Sequence, residues 1–181
     1  MYDFCFFCCS SVPNALAGAY EYHIKRHNGK EVDVSRLFIF YNSRERIKQE
    51  KKDIAVSITT ALDVLGVYGS CKEKYWPYNT ELVYTKSTQI AYQKAKRYKA
   101  VEVLKVKINL DEMKACLAQS FPIVFGLNLT QSFGQADDNE GAVPRPNPKD
   151  FKIIERHAML AVGYSDRSEA FIVRNSWGTS W

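Results

Sequence analysis

Helical and strand patterns occupy different halves of this chain, and their separation is the strongest constraint on its fold. Residues 10–27, 54–68 and 88–99 repeat apolar side chains at three- and four-residue steps, the period of helices with one buried face. Strand-type composition begins only later, as in residues 122–129. Helices followed by strands predict an α+β fold, because a doubly wound sheet needs the two element types to alternate.

The first predicted helix carries start and stop signals at both ends. Ser10 or Ser11 can serve as its N-cap, and Pro13 is tolerated in a first helical turn because its missing N–H would lack a partner there. Asn28 and Gly29 are typical residues for a helix end. We therefore expect this helix to begin at Ser10 or Ser11.

The other segments are less sharply defined. Residues 35–41 fit a short helix or a strand, and the charged residues 44–53 predict a solvated surface. Residues 100–110 alternate as a strand does, Asp111 is predicted to cap a short helix, and residues 137–150 have loop composition.

Composition limits the classes of partner. The net charge of +5 comes from 25 basic and 20 acidic residues that are interleaved, so we expect no nucleic-acid partner. The apolar run at residues 4–9 is too short to cross a membrane and no basic residue precedes it, so we expect no membrane partner and no signal peptide. Five cysteines predict no disulfide framework and leave the compartment open. We expect a monomer.

The most informative pair of residues lies near the end of the chain. Residues 157–164 and 169–175 read as two strands joined by a turn at 165–167. His157 opens the first strand and Asn175 closes the second. If the strands pair as a hairpin, the Asn175 carbonyl can hold one imidazole nitrogen so that the other faces a nucleophile. Alone, either residue could be an ordinary satisfied polar group; their joint order and spacing argue against chance.

The block from His157 to Tyr164, followed by Asn175-Ser176-Trp177-Gly178 and Trp181, closely resembles the histidine and asparagine blocks of the papain family. The resemblance implies a papain-like two-lobed α+β fold and hydrolysis of peptide bonds at a Cys-His-Asn type site. It implies a peptide or protein substrate, no cofactor and no metal. Trp177 would cover the hydrogen bond between His157 and Asn175.

The resemblance extends to a helical lobe at about residues 10–99 and a β-rich lobe at 100–181 of a single domain, 1–181. By comparison with the family, the domain is expected to be incomplete, with more strand following Trp181. Trp76, Pro77 and Tyr78 are similar to the aromatic-proline element that lines the family's main specificity pocket, although an ordinary turn with packed aromatics accounts for the same residues.

The nucleophile is where the pattern departs from the family. Aligning Asn14-Ala15-Leu16 with the family's central helix places Ser11 at the cysteine position, where the helix dipole favours a thiolate. Three alternatives stay open: Cys9 acts after a two-residue shift, Ser11 is a replacement, or residues 1–9 are unrelated sequence joined to a truncated domain.

Cys5 stands where the family has a glutamine that donates to the oxyanion, and loss of such a donor implies a large rate penalty. Three functions are therefore predicted. The chain is a cysteine-type peptidase, or it is a catalytically inactive homologue that binds peptides or a protein partner, or, as a weaker alternative, it is a serine-type hydrolase.

Overall fold

The computed structural model describes residues 8–100, 102–146 and 152–178. Its longest helix, α1, spans Ser11–Asn28 and ends where Gly29 adopts a left-handed φ of 69°. Glycine adopts this conformation without steric cost, which is why it ends helices so often. The predicted start and end of this helix are confirmed.

Four further α-helices follow in the described ranges: α2 (Arg36–Arg46), α3 (Ile58–Val67), α4 (Gln89–Ala95) and α5 (Leu110–Ala118). Each begins at a side chain that accepts a hydrogen bond from a first-turn N–H, as N-caps do; these caps are Ser35, Ser57, Thr88 and Asn109. The cap of α5 is thus Asn109, and the prediction of Asp111 was wrong because helix α5 starts two residues earlier than a cap at Asp111 implies.

Three antiparallel strands form one sheet in the order β1 (Ile123–Leu129), β2 (Glu155–Ser165) and β3 (Ala170–Arg174). Strands β2 and β3 pair as the predicted hairpin, with a register shift between Ala161 and Gly163. The combination of helices with an antiparallel sheet confirms the α+β class.

Residues 102–109 form no strand within the described part of the chain, so the prediction made for 100–110 was wrong there; Val101 lies outside the described residues. Val103, Leu104 and Ile108 are all exposed. An alternating pattern forms a strand only when a neighbouring strand forms hydrogen bonds with its N–H and C=O groups. The described strands pair with one another and not with residues 102–109.

Arg44 corrects the expectation that residues 44–53 are uniformly solvated. Its side chain is 0% exposed, it donates to the carbonyl oxygens of Lys52 and Val83, and its guanidinium lies 4.0 Å from the centre of the Phe40 ring. A guanidinium is buried only with such partners. Arg44 therefore ties two loops to helix α2.

Helix α1 packs against helices α2 and α3 and against strands β1 and β2, whereas helix α5 contacts the sheet directly. Its Leu16 and Ala17 share one apolar core with Phe38, Leu65 and, from β2, Ala158. A second apolar cluster on the sheet contains Leu129, Phe133 and Met159, with Trp177 packed against it. In the described ranges, no helix has the length and apolarity that crossing a membrane would require. The division into lobes at residue 99 stays a prediction.

Candidate active site

Ser11 is the first residue of helix α1 and lies against strand β2. Its side chain is 5% exposed, and its Oγ accepts a hydrogen bond of 3.2 Å from the backbone N–H of Ala158. The N-terminal turn of a helix carries unpaired N–H groups and a partial positive charge, which stabilise a nearby anion. The structure therefore brings the predicted nucleophile position to the strand residue that follows His157.

His157 and Asn175 meet at the open end of the β2–β3 hairpin. The His157 Nε2 and the Asn175 Oδ1 are 2.8 Å apart, and the same Oδ1 accepts the N–H of Ser176 at 2.8 Å. A carboxamide oxygen can only accept, so Nε2 carries the proton of this bond. The neutral ring therefore has its lone pair on Nδ1.

Nδ1 of His157 is buried and has no hydrogen-bond partner among the described residues. A buried, unpaired ring nitrogen costs folding free energy, and a role in proton transfer is one reason for such a group to be present. The arrangement can accept a proton from a nucleophile and later return it to a leaving group.

Trp177 covers the imidazole. Its ring centre lies 5.0 Å from that of His157, with the planes tilted by 42°, and Phe133 packs against its edge at 5.6 Å. His157 is only 3% exposed as a result. Exclusion of water strengthens the hydrogen bond between His157 and Asn175, since the local dielectric constant is low.

The aromatic-proline element lies beside the start of helix α1. The Tyr78 hydroxyl is 3.1 Å from the Oγ of Ser10, whereas Trp76 is buried and belongs to the main core. Pro77 is exposed and Tyr78 is half-buried. Tyr78 thus lies beside Ser10 at the start of helix α1 and packs against the core that contains Trp76.

Cys9 points its thiol to the carbonyl oxygen of Asp53, 3.7 Å from the Sγ. Cys71 is buried, and desolvation raises the pKa of its thiol to about 12. Desolvation also raises the pKa of Cys116. Cys5 lies outside the described residues. A raised thiol pKa lowers the thiolate fraction, so Cys71 is unreactive at neutral pH.

A cavity of about 210 Å³ is lined in part by Asn175, and the sequence analysis missed it. Gly18 and Glu21 of helix α1, Arg36 of helix α2 and Arg174 of strand β3 line it together with Asn175. Residues 11, 14, 18 and 21 recur at three- and four-residue steps, so they lie on one face of helix α1. The position of Glu21 on the same helix face as Ser11 was the signal in the sequence that could have indicated this cavity.

Glu21 is the unusual titratable group of this cavity. The pKa of Glu21 is raised to about 7, mainly by burial and also by the negative charge of Asp33. A 2.9 Å hydrogen bond from the Val34 N–H and the charge of Arg174 oppose that shift. In the described ranges, no group of three or more His, Cys, Asp or Glu residues could hold a metal ion.

Comparisons with known proteins agree with this geometry. The family model of papain family cysteine proteases matches residues 8–181. A peptidase C1-like protein of Acanthamoeba polyphaga mimivirus is 35% identical over 182 residues, which covers 95% of this chain and 58% of the viral protein. The chain therefore spans less than two thirds of that relative.

Solved structures of cysteine proteases share the fold. Xylellain, a cysteine protease from Xylella fastidiosa, has a TM-score of 0.84 at 33% identity, over 93% of this chain and 68% of its own. A cysteine protease of Carica candamarcensis has a TM-score of 0.70 at 21% identity, over 98% of this chain and 77% of its own. The chain belongs to the papain family of cysteine proteases.

Proposed function

We propose that this chain binds peptides and hydrolyses their peptide bonds slowly, with Ser11 in the place of the nucleophile. His157 serves as general base and acid, and Asn175 orients its ring. The observation that carries the proposal is the 2.8 Å hydrogen bond from Nε2 to Asn175, which leaves a buried Nδ1 without a described partner. A ring held in this way needs only a nucleophile on its other side.

The reaction proceeds by acyl transfer. The Ser11 Oγ bonds to the carbonyl carbon of the substrate while His157 Nδ1 takes the hydroxyl proton. The tetrahedral intermediate collapses, the C–N bond breaks, and His157 returns the proton to the leaving amine. A water molecule, deprotonated by the same nitrogen, then attacks the acyl ester. The ester C–O bond breaks, the Ser11 Oγ takes the proton back from His157, and the carboxylic acid product leaves.

Ser11 sets the rate of this sequence. A hydroxyl is far less acidic than a thiol, so a histidine arranged for a thiolate ion pair does not ionise it. In the ungapped alignment, Cys5 stands where the family has its oxyanion glutamine, and one such donor is worth about 10²–10³ in rate. We therefore expect Ser11→Cys to raise kcat/KM by ~100-fold, within the range of a restored nucleophile and base pair.

A second candidate function is peptide binding without turnover. It is favoured by the hydrogen bond that the Ser11 Oγ accepts from the Ala158 N–H, because that contact occupies a lone pair of the attacking oxygen. In this alternative, the chain retains the covered His157–Asn175 pair only as part of a peptide-binding groove.

Hydrolysis of a fluorogenic dipeptide amide separates the two functions. Slow turnover that is lost in both Ser11→Ala and His157→Ala supports hydrolysis by Ser11. No turnover, together with retained binding of the same peptide, supports the second candidate. Turnover that survives Ser11→Ala but is lost in Cys9→Ala would show instead that Cys9 is the nucleophile.

We also propose that Pro77 and Tyr78 contact the bound peptide, with Trp76 packed in the core next to them. Trp177 covers His157 and forms one side of the same site. Pro77→Ala should raise KM for the dipeptide amide and leave kcat nearly unchanged, because Pro77 is exposed and has no group that takes part in acyl or proton transfer. The monomeric state and the lack of nucleic-acid and membrane partners stay predictions.

A further inference from the structure

The proposed site is assembled from two separate parts of the fold. Ser11 begins helix α1, whereas His157 and Asn175 are delivered by the β2–β3 hairpin. At the start of α1 the two parts meet in the hydrogen bond from Ala158 to Ser11. Apolar packing of Leu16 and Ala17 with Ala158 supports this contact, and a second polar contact lies farther along the helix.

That second contact is made by Arg174 at Gly18. A Cβ on residue 18 would lie 2.7 Å from Arg174 Nη1 and 3.3 Å from the Cδ2 of Leu160. The guanidinium can therefore approach the helix only because residue 18 has no side chain. Gly18 lies two turns from Ser11, roughly 10 Å along the helix axis.

The charged groups around Arg174 favour a position of its guanidinium against helix α1. Glu21 lines the same cavity one turn beyond Gly18, and the positive charge of Arg174 lowers its pKa against the effect of burial. Asp33 and Arg36 also act on Glu21, and Arg36 is paired with Glu73 at 3.2 Å. Glu21 is therefore the carboxylate that faces Arg174 on helix α1.

Any shift of Arg174 reaches Asn175 directly. Arg174 is the last residue of β3, where it pairs with Leu160 of β2, and Asn175 follows it in the chain. The Asn175 carbonyl holds the His157 ring through a bond of 2.8 Å, and catalytic geometry of this kind is lost with displacements of about 1 Å.

We propose that Arg174 is a positioning residue whose guanidinium, seated on Gly18 and facing Glu21, holds the strand that leads to Asn175 against the helix that begins at Ser11. The inference deepens the proposed function and rests on it. It explains why an arginine precedes Asn175 and why helix α1 carries a glycine in its interior. Arg174 acts through Asn175 and does not touch the substrate.

The solvent exchange of the His157 Nε2–H tests the proposal without any need for activity. Histidine labelled with ¹⁵N gives signals from the three histidines of the chain, and the proton donated to Asn175 should exchange slowly. At pH 8, where Glu21 is ionised, Arg174→Gln should speed this exchange about threefold to fivefold, as expected for loss of a charge interaction that solvent partly screens. Arg174→Lys, which keeps the cation, should restore most of the protection.

Gly18→Ala gives an independent variant, because a methyl group there displaces the guanidinium while it improves the helix propensity. It should speed the exchange as much as Arg174→Gln without lowering the melting temperature. Gly66→Ala in helix α3 is the matched control, since a Cβ there meets only the Ala100 oxygen, at 3.9 Å. Arg156→Gln removes an exposed arginine next to His157 and controls for charge alone.

Unchanged exchange in Arg174→Gln or in Gly18→Ala would overturn this inference and leave the proposed function standing. A fall in melting temperature with unchanged exchange would give Arg174 a merely structural role and would likewise overturn it. The absence of a slowly exchanging Nε2–H in the unmodified chain would contradict the His157–Asn175 geometry, and both the proposed function and this inference would fall together.

Discussion

Glu21→Gln should stabilise the protein at alkaline pH and have little effect in acid. Burial raises the pKa of Glu21 from 4.5 to about 7, so the folded state binds a proton more tightly than the unfolded chain. The stability that Glu21 contributes is therefore fully present below about pH 4.5 and is lost as the pH rises through about 7. Glutamine stays neutral throughout and keeps an oxygen that can accept the Val34 N–H.

The size of the effect follows from the shift. A difference of about 2.5 pKa units corresponds to ~3.4 kcal/mol as an upper bound. Glu21 is only half-buried, so solvent screening reduces this to about 1–2 kcal/mol. For a chain of this size we expect the melting temperature of Glu21→Gln to exceed that of the wild type by about 3–6 °C at pH 8.

Urea denaturation of both proteins between pH 5 and pH 8 measures this difference in unfolding free energy. Glu31→Gln is the control, because Glu31 is an exposed carboxylate whose pKa is lowered by Lys25 at 2.7 Å. Its effect should have the opposite sign and stay nearly constant from pH 5 to pH 8, because the contribution of Glu31 is lost only as the pH falls through its lowered pKa, below 4.5. A difference between Glu21→Gln and wild type that does not grow from pH 5 to pH 8 would refute the argument.

Three further predictions concern the fold. Phe38→Ala should lower the unfolding free energy by about 3–5 kcal/mol in urea, because Phe38 is fully buried. Gly69→Ala should cost about 2–3 kcal/mol, since φ is 76° and a Cβ would lie 2.2 Å from a backbone oxygen; Gly29→Ala, with φ of 69° and no neighbour within 4 Å, should cost only about 1 kcal/mol. Ser35→Ala should cost about 2 kcal/mol in thermal unfolding, more than Ser57→Ala, because Ser35 both caps a helix and donates to a buried carbonyl.

The sequence predicted those parts of the structure that depend on neighbouring residues. The hairpin that joins His157 to Asn175 follows from two strand-like segments and a short turn, and the end of helix α1 follows from Gly29. Residues 102–109 were wrongly predicted as a strand, because strand pairing depends on residues far away in the sequence and local alternation does not reveal them.

Contacts between distant residues set the other limit of sequence analysis. The buried Arg44 donates hydrogen bonds to two carbonyl oxygens from separate loops, and no local sequence pattern predicts these partners. The meeting of Ser11 with Ala158, and of Arg174 with Gly18, likewise appears only once helix α1 is packed on the sheet. Ser11, His157 and Asn175 could be named from motif likeness, whereas Glu21 and Arg174 could not.

The most direct test of the account is covalent labelling at residue 11. We predict that Ser11→Cys reacts with an epoxide probe for cysteine peptidases, that mass spectrometry finds the adduct on residue 11, and that His157→Ala in the same background slows labelling by ~100-fold. Labelling of Cys9 in place of residue 11, or labelling of residue 11 that does not depend on His157, would contradict the placement of the nucleophile at the start of helix α1.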